Sequence, residues 1–311
     1  MSEAVRIDGV EIVDEFAEAF DMKATRLIIT GHDSYWAHQA ASTMTGFGTS
    51  VIACGAETAI EQELSPEDTP DGRPGYSVLM FAVSGSELEK QITRRVGQCV
   101  LTCATAAIFA GVPETDPPSK KRLGLGKAIR FFGDGYQVSK KLHRSDGTST
   151  RYWRVPVMDG EFIIEHDVAR IDGIGGGNFI LLAETIDAAL LGCRAAIDAM
   201  AKLPEVITPF PGGVARSGSK VGSKYPKLFA STNDAYCPTL RDVVDSCLRD
   251  DENAVLEIVI DGLNFEAIAE SMRVGILAAC QAAGDRGLRR ITAGNYGGKL
   301  GRHHFRLVEL F

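Results

Sequence analysis

The chain has 311 residues, of which 45% are hydrophobic, and a formal net charge of −8. This composition predicts a globular protein with a sizeable core, and the acidic balance argues against a nonspecific nucleic-acid binder. No segment reaches the roughly 18 consecutive apolar residues of a membrane span, and the N-terminus has no basic run followed by an apolar one. We therefore expect a cytoplasmic protein without membrane segments, whose seven cysteines are free thiols.

The pattern of apolar residues in the first half of the chain predicts the order strand, helix, strand, twice in succession. In chain order, the predicted elements are a strand at 25–30 (TRLIIT), a helix at 33–44 capped by Asp33 or Ser34, a strand at 49–57 (TSVIACGAE), a strand from residue 77 (SVLMFAV), a helix capped by Ser86, and a strand at 128–137 (AIRFFGDGYQ). The intervals between these elements are rich in glycine and proline, as connecting loops are.

The second half repeats this order. Its predicted elements are a strand at 179–184 (FILLAE), a helix from Thr185 to Met200, a strand at 204–213 (PEVITPFPGG), a strand from residue 255 (VLEIVID), a helix capped by Asn264, and a strand at 290–299 (RITAGNYGGK). Alignment of the two RVG triplets superimposes the halves. Each half then reads as a split βαβ unit, so we predict an α+β fold of two pseudo-repeated ferredoxin-like lobes, with mainly antiparallel sheets and helices on one face. Chance similarity of short amphipathic units is the alternative.

The repeat also sets the expected domain boundaries. We predict an N-terminal lobe at residues 1–150 and a C-terminal lobe at 151–311. Within the latter, RYWRVPVMDGEFIIEH (151–166) predicts a connecting hairpin that turns at Asp159-Gly160, and the glycine run within 151–178 predicts a hinge. Residues 209–250 form an insertion that the first half lacks. A long polar loop inside a compact domain is usually functional or disordered, and the aromatic residues of this one favour a functional loop.

One acidic residue departs from the repeat. Glu257 stands where the aligned half has Leu79, in the middle of an apolar strand. Burial opposes the charged form of a carboxyl group, so this side chain is expected to take up a proton readily, as a general acid or base does. A structural ion pair, or an edge position that faces water, is the alternative.

Several familiar chemistries lack their motifs. GVARSGSK (213–220) has serine where a P-loop needs lysine directly after its second glycine, and no complete G-x-G-x-x-G or G-x-S-x-G is present. The histidines form no HExxH motif and no cluster with cysteine, so we expect no metal site.

The motifs taken together resemble a known family. GFGTSVIACGAE, ELSPEDTPDGRPG, FFGDGYQ, PFPGGVARSGSKVGSK, ASTNDAYCP, EIVIDGLN and ITAGNYGGKLG, in this order along the chain, are similar to those of formylmethanofuran:tetrahydromethanopterin N-formyltransferases, in particular the bacterial branch that works beside formyl-carrier hydrolases. The resemblance implies reversible transfer of a formyl group between a methanofuran-type amine and N5 of tetrahydromethanopterin. It implies no prosthetic group, because both coenzymes are co-substrates.

The resemblance also implies a site. It places the catalytic glutamate on Glu257, and since both carriers are polyanions, we expect cations, hydroxyls and backbone N–H groups to bind them. The predicted substrate-binding residues are Gly212, Gly213, Ser217, Ser219, Lys220, Lys224, Ser231, Asn233, Asp234, Tyr236, Asn295 and Lys299. The amides of the glycine loop 211–218, or of Gly297 and Gly298, are candidate oxyanion donors.

The expected partners follow from the same resemblance. It suggests a homo-oligomer, a tetramer in particular, and association with formyl-carrier hydrolase subunits during oxidation of formaldehyde to formate. A noncatalytic scaffold that binds a carrier is the alternative function. This alternative predicts that Glu257 is lost or that the loop at 209–240 is eroded. The sequence retains both Glu257 and the loop.

Overall fold

The computed structural model describes residues 5–112, 121–143, 149–218 and 220–311. The chain forms two compact units, one made of Met1–Asp21 with Gly173–Phe311 and the other of Met22–Asp172. The first unit is thus discontinuous in sequence. The division into lobes at residues 150 and 151 stays a prediction.

The strands are short except for two that exceed ten residues. In chain order they are β1 (Val5–Ile7), β2 (Val10–Ile12), β3 (Phe16–Thr30), β4 (Glu57–Leu64), β5 (Gly75–Ala82), β6 (Ala107–Ala110), β7 (Arg122–Gly124), β8 (Val138–His143), β9 (Ser149–Val157), β10 (Gly160–Glu165), β11 (Asp167–Ala169), β12 (Ile171–Ala183), β13 (Val206–Ile207), β14 (Lys220–Val221), β15 (Ala230–Ser231), β16 (Ala254–Gly262), β17 (Leu288–Thr292) and β18 (His303–Arg306).

The α-helices differ widely in length. They are α1 (Ser34–Thr45), α2 (Val51–Cys54), α3 (Gly85–Arg95), α4 (Gly126–Ile129), α5 (Ile186–Met200) and α6 (Phe265–Ala283), and α3 continues into a π-helical segment, Val96–Val100. Among the described residues, no helix has both the length and the apolar character needed to cross a bilayer.

In the first unit, four strands form an antiparallel sheet in the order β17-β12-β16-β13. Counted along the chain, these are the fourth, first, third and second strands; α5 connects β12 to β13, and α6 connects β16 to β17. This is the split βαβ arrangement. On the outer side of β17, β2 adds in parallel and β1 pairs with β2.

The second unit has the same order. Its strands run β6-β3-β5-β4, all antiparallel, again the fourth, first, third and second of the repeat. Beyond β6, β10 pairs in parallel and is followed by β9 and β8. The predicted pair of ferredoxin-like repeats is therefore confirmed.

The helix caps explain where most of the predicted helices begin. Asp33 accepts a hydrogen bond from the Trp36 N–H at 3.1 Å, and Asn264 accepts one from the Ala267 N–H at 2.8 Å, as predicted. The predicted cap Ser86 is wrong. Ser84 is the N-cap, since its hydroxyl accepts from the Glu87 N–H at 3.2 Å.

Two predicted strands are wrong because short apolar runs do not distinguish strand from helix. Within 49–57, the Ser50 hydroxyl caps α2, and Gly55 ends it in a left-handed conformation with φ 75°, so that β4 begins only at Glu57. Within 128–137, the chain forms the end of α4 and a 3₁₀ helix, Arg130–Gly133.

Three further segments differ from expectation in detail. The hairpin β9–β10 is confirmed, but its paired residues Val157 and Gly160 enclose Met158 and Asp159, one residue earlier than predicted. The glycine run 173–178 lies inside β12, which has an irregularity between Gly175 and Gly177, and its role as a hinge stays a prediction. The insertion at 209–250 contains the small hairpin β14–β15 and several 3₁₀ turns.

Candidate active site

Glu257 lies at the centre of β16, and its backbone is bonded on both sides. It is opposite Ile180 of β12 in the antiparallel register. On its other side, the Ala215 N–H donates to the Glu257 carbonyl at 2.8 Å, and the Glu257 N–H donates to the Ala215 carbonyl at 3.0 Å. The segment before β14 therefore fixes the backbone of the candidate catalytic residue.

The alternation of β16 decides which way Glu257 points. Leu256, Ile258 and Ile260 belong to the core shared with α5 and α6. Since successive side chains of a strand point to opposite faces, Glu257 lies on the face away from these helices. Its side chain is nevertheless only 3% exposed, because other segments of the unit cover this face.

One of these segments contains Gly294. Asn178, which is 3% exposed, accepts a hydrogen bond from the Gly294 N–H at 2.6 Å and donates to its carbonyl at 3.0 Å. A Cβ atom added to Gly294 would lie 3.6 Å from Oε1 of Glu257 and 3.3 Å from Oδ1 of Asn178. A methyl group at residue 294 would therefore reach van der Waals contact with the glutamate carboxyl, and glycine leaves that space open.

A small cavity of about 30 Å³ opens beside Glu257. This volume has room for a water molecule or a group of similar size, and not for a whole coenzyme. The residues that line it are Ile180, Ala215, Arg216, Ser217, Gly218, Asn233, Tyr236, Cys237, Val255, Leu256 and Glu257. The predicted residues Ser217, Asn233 and Tyr236 are therefore together with Glu257, and Gly218 belongs to the loop 211–218 whose amides were predicted as oxyanion donors. The side chains of Arg216 and Cys237 were not predicted.

Tyr236 is one of the residues that line this cavity. Burial, supported by the charge of Cys247, raises the pKa of Tyr236 above its usual 10, although a hydrogen bond with Thr292 acts in the opposite direction. Thr292 is opposite Ile180 in the sheet, the same residue that faces Glu257 from the neighbouring strand. The phenol remains protonated at neutral pH and can donate a hydrogen bond here.

Arg216 is the cation of this cavity. It is exposed, and it forms no ion pair with any residue that the structure describes. A guanidinium that is not already bound to a protein carboxylate is available for an anion or a polarised carbonyl. Its only sequence signal was its place within GVARSGSK, which lacks the spacing of a P-loop.

Lys220 and Asp234, both predicted to bind substrate, bind each other instead. The Lys220 ammonium lies 2.6 Å from the Asp234 carboxylate, and the hydrogen bond from Lys220 lowers the pKa of Asp234. This pair connects β14 to the 3₁₀ turn Asp234–Tyr236. Because Asp234 and Tyr236 belong to the same turn, the ion pair also restrains the position of Tyr236.

The remaining predicted residues fall into structural and exposed groups. Gly213 has φ 78°, and a side chain there would collide with Ile197 of α5; Gly212 precedes it in the same 3₁₀ turn. The Ser231 hydroxyl donates to the Gly222 carbonyl at 2.8 Å. Asn295 donates to Glu15 at 2.9 Å. Lys224 and Lys299 are exposed, and Ser219 lies outside the described residues.

The candidate oxyanion donors Gly297 and Gly298 are already used. The Gly297 N–H donates to the Asn295 side chain at 3.0 Å, and the Gly298 N–H donates to Glu18 at 2.8 Å. Their role as oxyanion donors stays a prediction. Gly298, at φ 69°, directs its N–H to the buried Glu18, whereas Gly297 is exposed.

Among residues 5–112, 121–143, 149–218 and 220–311, no three His, Cys, Asp or Glu side chains are grouped so as to hold a metal ion. The chemistry available at the cavity is that of one buried carboxyl with a guanidinium, a phenol and an amide near it. Fold and site together define a protein of two ferredoxin-like repeats, in which the second repeat contains a buried carboxyl beside a small cavity.

Comparison with known proteins gives the family. The family model described as formylmethanofuran-tetrahydromethanopterin formyltransferase matches residues 5–157, and the model of the FTR proximal lobe matches residues 160–310. A relative from Rhodopirellula baltica with the name formylmethanofuran--tetrahydromethanopterin formyltransferase is 61% identical over 99% of this chain and 93% of its own. The chain belongs to the formylmethanofuran-tetrahydromethanopterin formyltransferase family, and the resemblance seen in its sequence is confirmed.

Solved structures agree with this assignment. The crystal structure of the formyltransferase/hydrolase complex from Methylorubrum extorquens with methylofuran contains a chain 48% identical to this one, with a TM-score of 0.94 over 99% of both chains. The formylmethanofuran:tetrahydromethanopterin formyltransferase from Methanosarcina barkeri is 43% identical, with a TM-score of 0.89 over 99% of this chain and 100% of its own.

Proposed function

We propose that this protein transfers a formyl group reversibly between the amine of a methanofuran-type carrier and N5 of tetrahydromethanopterin, by direct attack in a ternary complex. Membership of the family over residues 5–157 and 160–310 supports this activity. The observation that carries it is the carboxyl of Glu257, 3% exposed, at a small cavity with Arg216 and Tyr236.

The reaction needs a group that moves one proton. The attacking nitrogen forms a new bond to the formyl carbon, and in the tetrahedral intermediate it must lose a proton while the departing nitrogen gains one before its bond to carbon breaks. Glu257 takes the proton from the first nitrogen and delivers it to the second, since an amide-type nitrogen leaves poorly unless it is protonated. Glu257 accepts one proton and donates one proton, so the enzyme returns to its initial protonation state at the end of each turnover.

The negative charge on the formyl oxygen needs donors. Tyr236 and Arg216, both on the wall of the Glu257 cavity, are the donors that we assign to it, with Ser217 and Asn233 beside them. Donors that are fixed before the reaction stabilise the developing oxyanion without reorganisation. Holding two large carriers so that nitrogen and carbon meet supplies much of the remaining acceleration.

The outer parts of the carriers meet the exposed cations. Lys224 and Lys299 are exposed, and neither forms an ion pair with a described residue, so both are assigned to anionic groups of the carriers. Lys220 and Asp234 support this surface through their ion pair of 2.6 Å. The carriers are co-substrates, and no prosthetic group takes part in the proposed reaction.

We assign this chain to assemblies with other proteins. A relative from Methylorubrum extorquens, 50% identical over 98% of this chain, is named as one of the subunits of a formyltransferase/hydrolase complex. Association with hydrolase subunits gives the reaction a direction, from formyl-tetrahydromethanopterin to the formylated furan carrier and on to formate, as in the oxidation of formaldehyde. Assembly of the chain as a homotetramer is the other assignment. Sedimentation analysis of the purified chain, alone and with hydrolase subunits, distinguishes the two.

The direct test is formyl transfer by the purified protein. Formyl-tetrahydromethanopterin and a methanofuran are mixed with the protein alone, and loss of the formylpterin absorbance is followed. The proposed function requires turnover that depends on the furan acceptor. Absence of turnover, repeated with hydrolase subunits present, would replace it by a noncatalytic scaffold that binds a carrier.

A further inference from the structure

Glu18 is a buried acid of β3 with an unusual set of partners. Its side chain is 0% exposed, and it accepts four backbone N–H bonds: from Tyr296 at 2.6 Å, Gly298 at 2.8 Å, Leu300 at 2.7 Å and Gly301 at 2.7 Å. An ionised carboxylate has about four acceptor positions. One short segment of chain, residues 296–301, therefore fills all of them.

Glu18 also holds the beginning of this segment. Its own backbone N–H donates to the Gly294 carbonyl at 3.2 Å. Gly294 is the residue whose added Cβ would lie 3.6 Å from Oε1 of Glu257. Glu18 thus binds the segment at two places: its backbone N–H, together with the Asn178 side chain, holds Gly294, and its carboxylate holds the turn that follows.

The glycines of GGKLG (297–301) make this geometry possible. Gly297 and Gly298 have φ values of 82° and 69°, which curl the chain so that four of its N–H groups converge on one carboxylate, much as in an anion-binding nest. A side chain at Gly301 would collide with the carbonyl of Ala19. The turn is shaped for a carboxylate, and the protein supplies it from Glu18.

The charge of Glu18 is held by these amides. It forms no ion pair with a residue that the structure describes. Burial opposes its ionisation, but the N–H bonds from Gly301, Tyr296, Gly298 and Leu300 outweigh it and lower the pKa of Glu18 to about 2. The carboxylate is therefore ionised throughout the neutral range.

We infer that Glu18 is a positioning residue of the formyl-transfer site, which fixes segment 294–301 so that the Gly294 backbone is held against Glu257 and Lys299 is presented on the exposed turn. This inference rests on the proposed function. Glu18 touches no substrate and acts through the segment that it binds.

The test is Glu18→Gln, which keeps the size of the side chain and removes its charge. The amide oxygen can still accept from the donors nearest to it, while the amide NH₂ faces N–H groups that it cannot bind. We expect kcat to fall by about 10- to 100-fold, as for small misplacements in a reacting site, with the KM of either carrier changed less. Hydrogen exchange should accelerate at residues 296–301 and stay unchanged in α5 and α6.

The matched control is Glu252→Gln. Glu252 is also 0% exposed and lies in the same unit, but its carboxylate binds the Arg290 guanidinium at 2.6 Å and not segment 294–301. A purely structural loss should lower Tm and leave kcat near that of the wild type below the transition. If Glu18→Gln behaves in this way, the inference is overturned.

A second variant carries the test if Glu18→Gln does not fold. Gly298→Ala strains the same turn at φ 69° with Glu18 intact, and should lower kcat in the same direction. Wild-type kcat in a folded Gly298→Ala protein would count against the inference. The wild type is assayed beside both: if it shows no formyl transfer, the proposed function fails, and if it is active while both variants match it, only the role of Glu18 fails.

Discussion

Ala215 and Glu257 form an isolated antiparallel bridge, in which each backbone N–H donates to the other residue's carbonyl, at 2.8 and 3.0 Å. The insertion that the first repeat lacks is thereby joined to the strand that contains Glu257, the proposed catalytic residue. Arg216 and Ser217 follow Ala215 directly, so the bridge also brings them to the cavity. The proposed acid/base residue and the proposed donor Arg216 are therefore held by the same two hydrogen bonds.

Glu257→Gln should lower kcat by about 10²- to 10⁴-fold, the usual contribution of a general acid/base group. KM should change little, because glutamine has the same shape. Steady-state kinetics with both carriers, together with Tm, measure this. Asp261→Asn is the control, since Asp261 is four residues further along β16, on the same face, and is buried as well, at 0% exposed. Near-normal kcat in Glu257→Gln would remove the assigned role.

Arg216→Ala should lower kcat/KM by roughly 10- to 100-fold, as expected for loss of one hydrogen bond to a charged group. Tm should not change, because the described residues form no ion pair with Arg216. Arg216→Lys should recover only part of the activity, since an ammonium lacks the planar fork of a guanidinium. Arg194→Ala, at an arginine whose side chain is 84% exposed on α5, is the control. Equal losses in both alanine variants would indicate an effect of net charge alone.

Lys224→Glu and Lys220→Glu should behave differently. Lys224→Glu should raise the KM of a carrier and leave kcat and Tm near the wild-type values, and the increase should shrink in high salt because the site is exposed. Lys220→Glu breaks the 2.6 Å pair with Asp234, so it should also lower Tm and kcat by loosening the turn of Tyr236. Lys227→Glu, in the same loop and also exposed, tests whether position matters. An equal rise of KM in Lys227→Glu would mean that the loop acts only by its overall charge.

The stabilisation from Glu18 should depend on pH in the acid range. The pKa of Glu18 is lowered from 4.5 to about 2 in the folded protein. Because the folded value lies below the unfolded one, the stabilisation is complete above about pH 4.5 and is lost as the pH falls toward about 2. The difference in Tm between wild type and Glu18→Gln should therefore be constant from about pH 7 to about pH 5 and shrink below that.

Glu266→Gln controls for this measurement, because it removes one negative charge from an exposed position of α6. A difference in Tm for Glu18→Gln that persists unchanged down to about pH 3 would contradict the assignment of the stabilisation to the ionised carboxylate.

Much of the fold was predictable from local patterns. The β-α-β order of each half and the cap at Asn264 depend on residues close together in sequence, and these are confirmed. The errors at 49–57 and 128–137 have the same cause, since a run of a few apolar residues is compatible with a strand or with one helical turn. At 51–54, the caps Ser50 and Gly55 decided for the helix.

The site was only partly predictable. Glu257 was singled out because a carboxyl in an apolar strand departs from the repeat, and the predicted residues Ser217, Asn233 and Tyr236 line the same cavity. Arg216 was passed over, because a lone arginine in a glycine-serine loop resembles any solvated cation. Lys220 and Asp234 were taken as two separate substrate contacts, since sequence shows the charges and not their distance.

The sequence by itself determined the repeat, the family and the carboxyl that interrupts an apolar strand. All three depend only on the types of residue and their spacing and order along the chain. The tertiary structure alone decided which groups surround that carboxyl. Glu18 and the amides of residues 296–301 are separated by about 280 positions in the chain, and no local pattern connects them. Their meeting depends on backbone conformation at two glycines and on the packing of β3 beside the segment, which only the folded chain specifies.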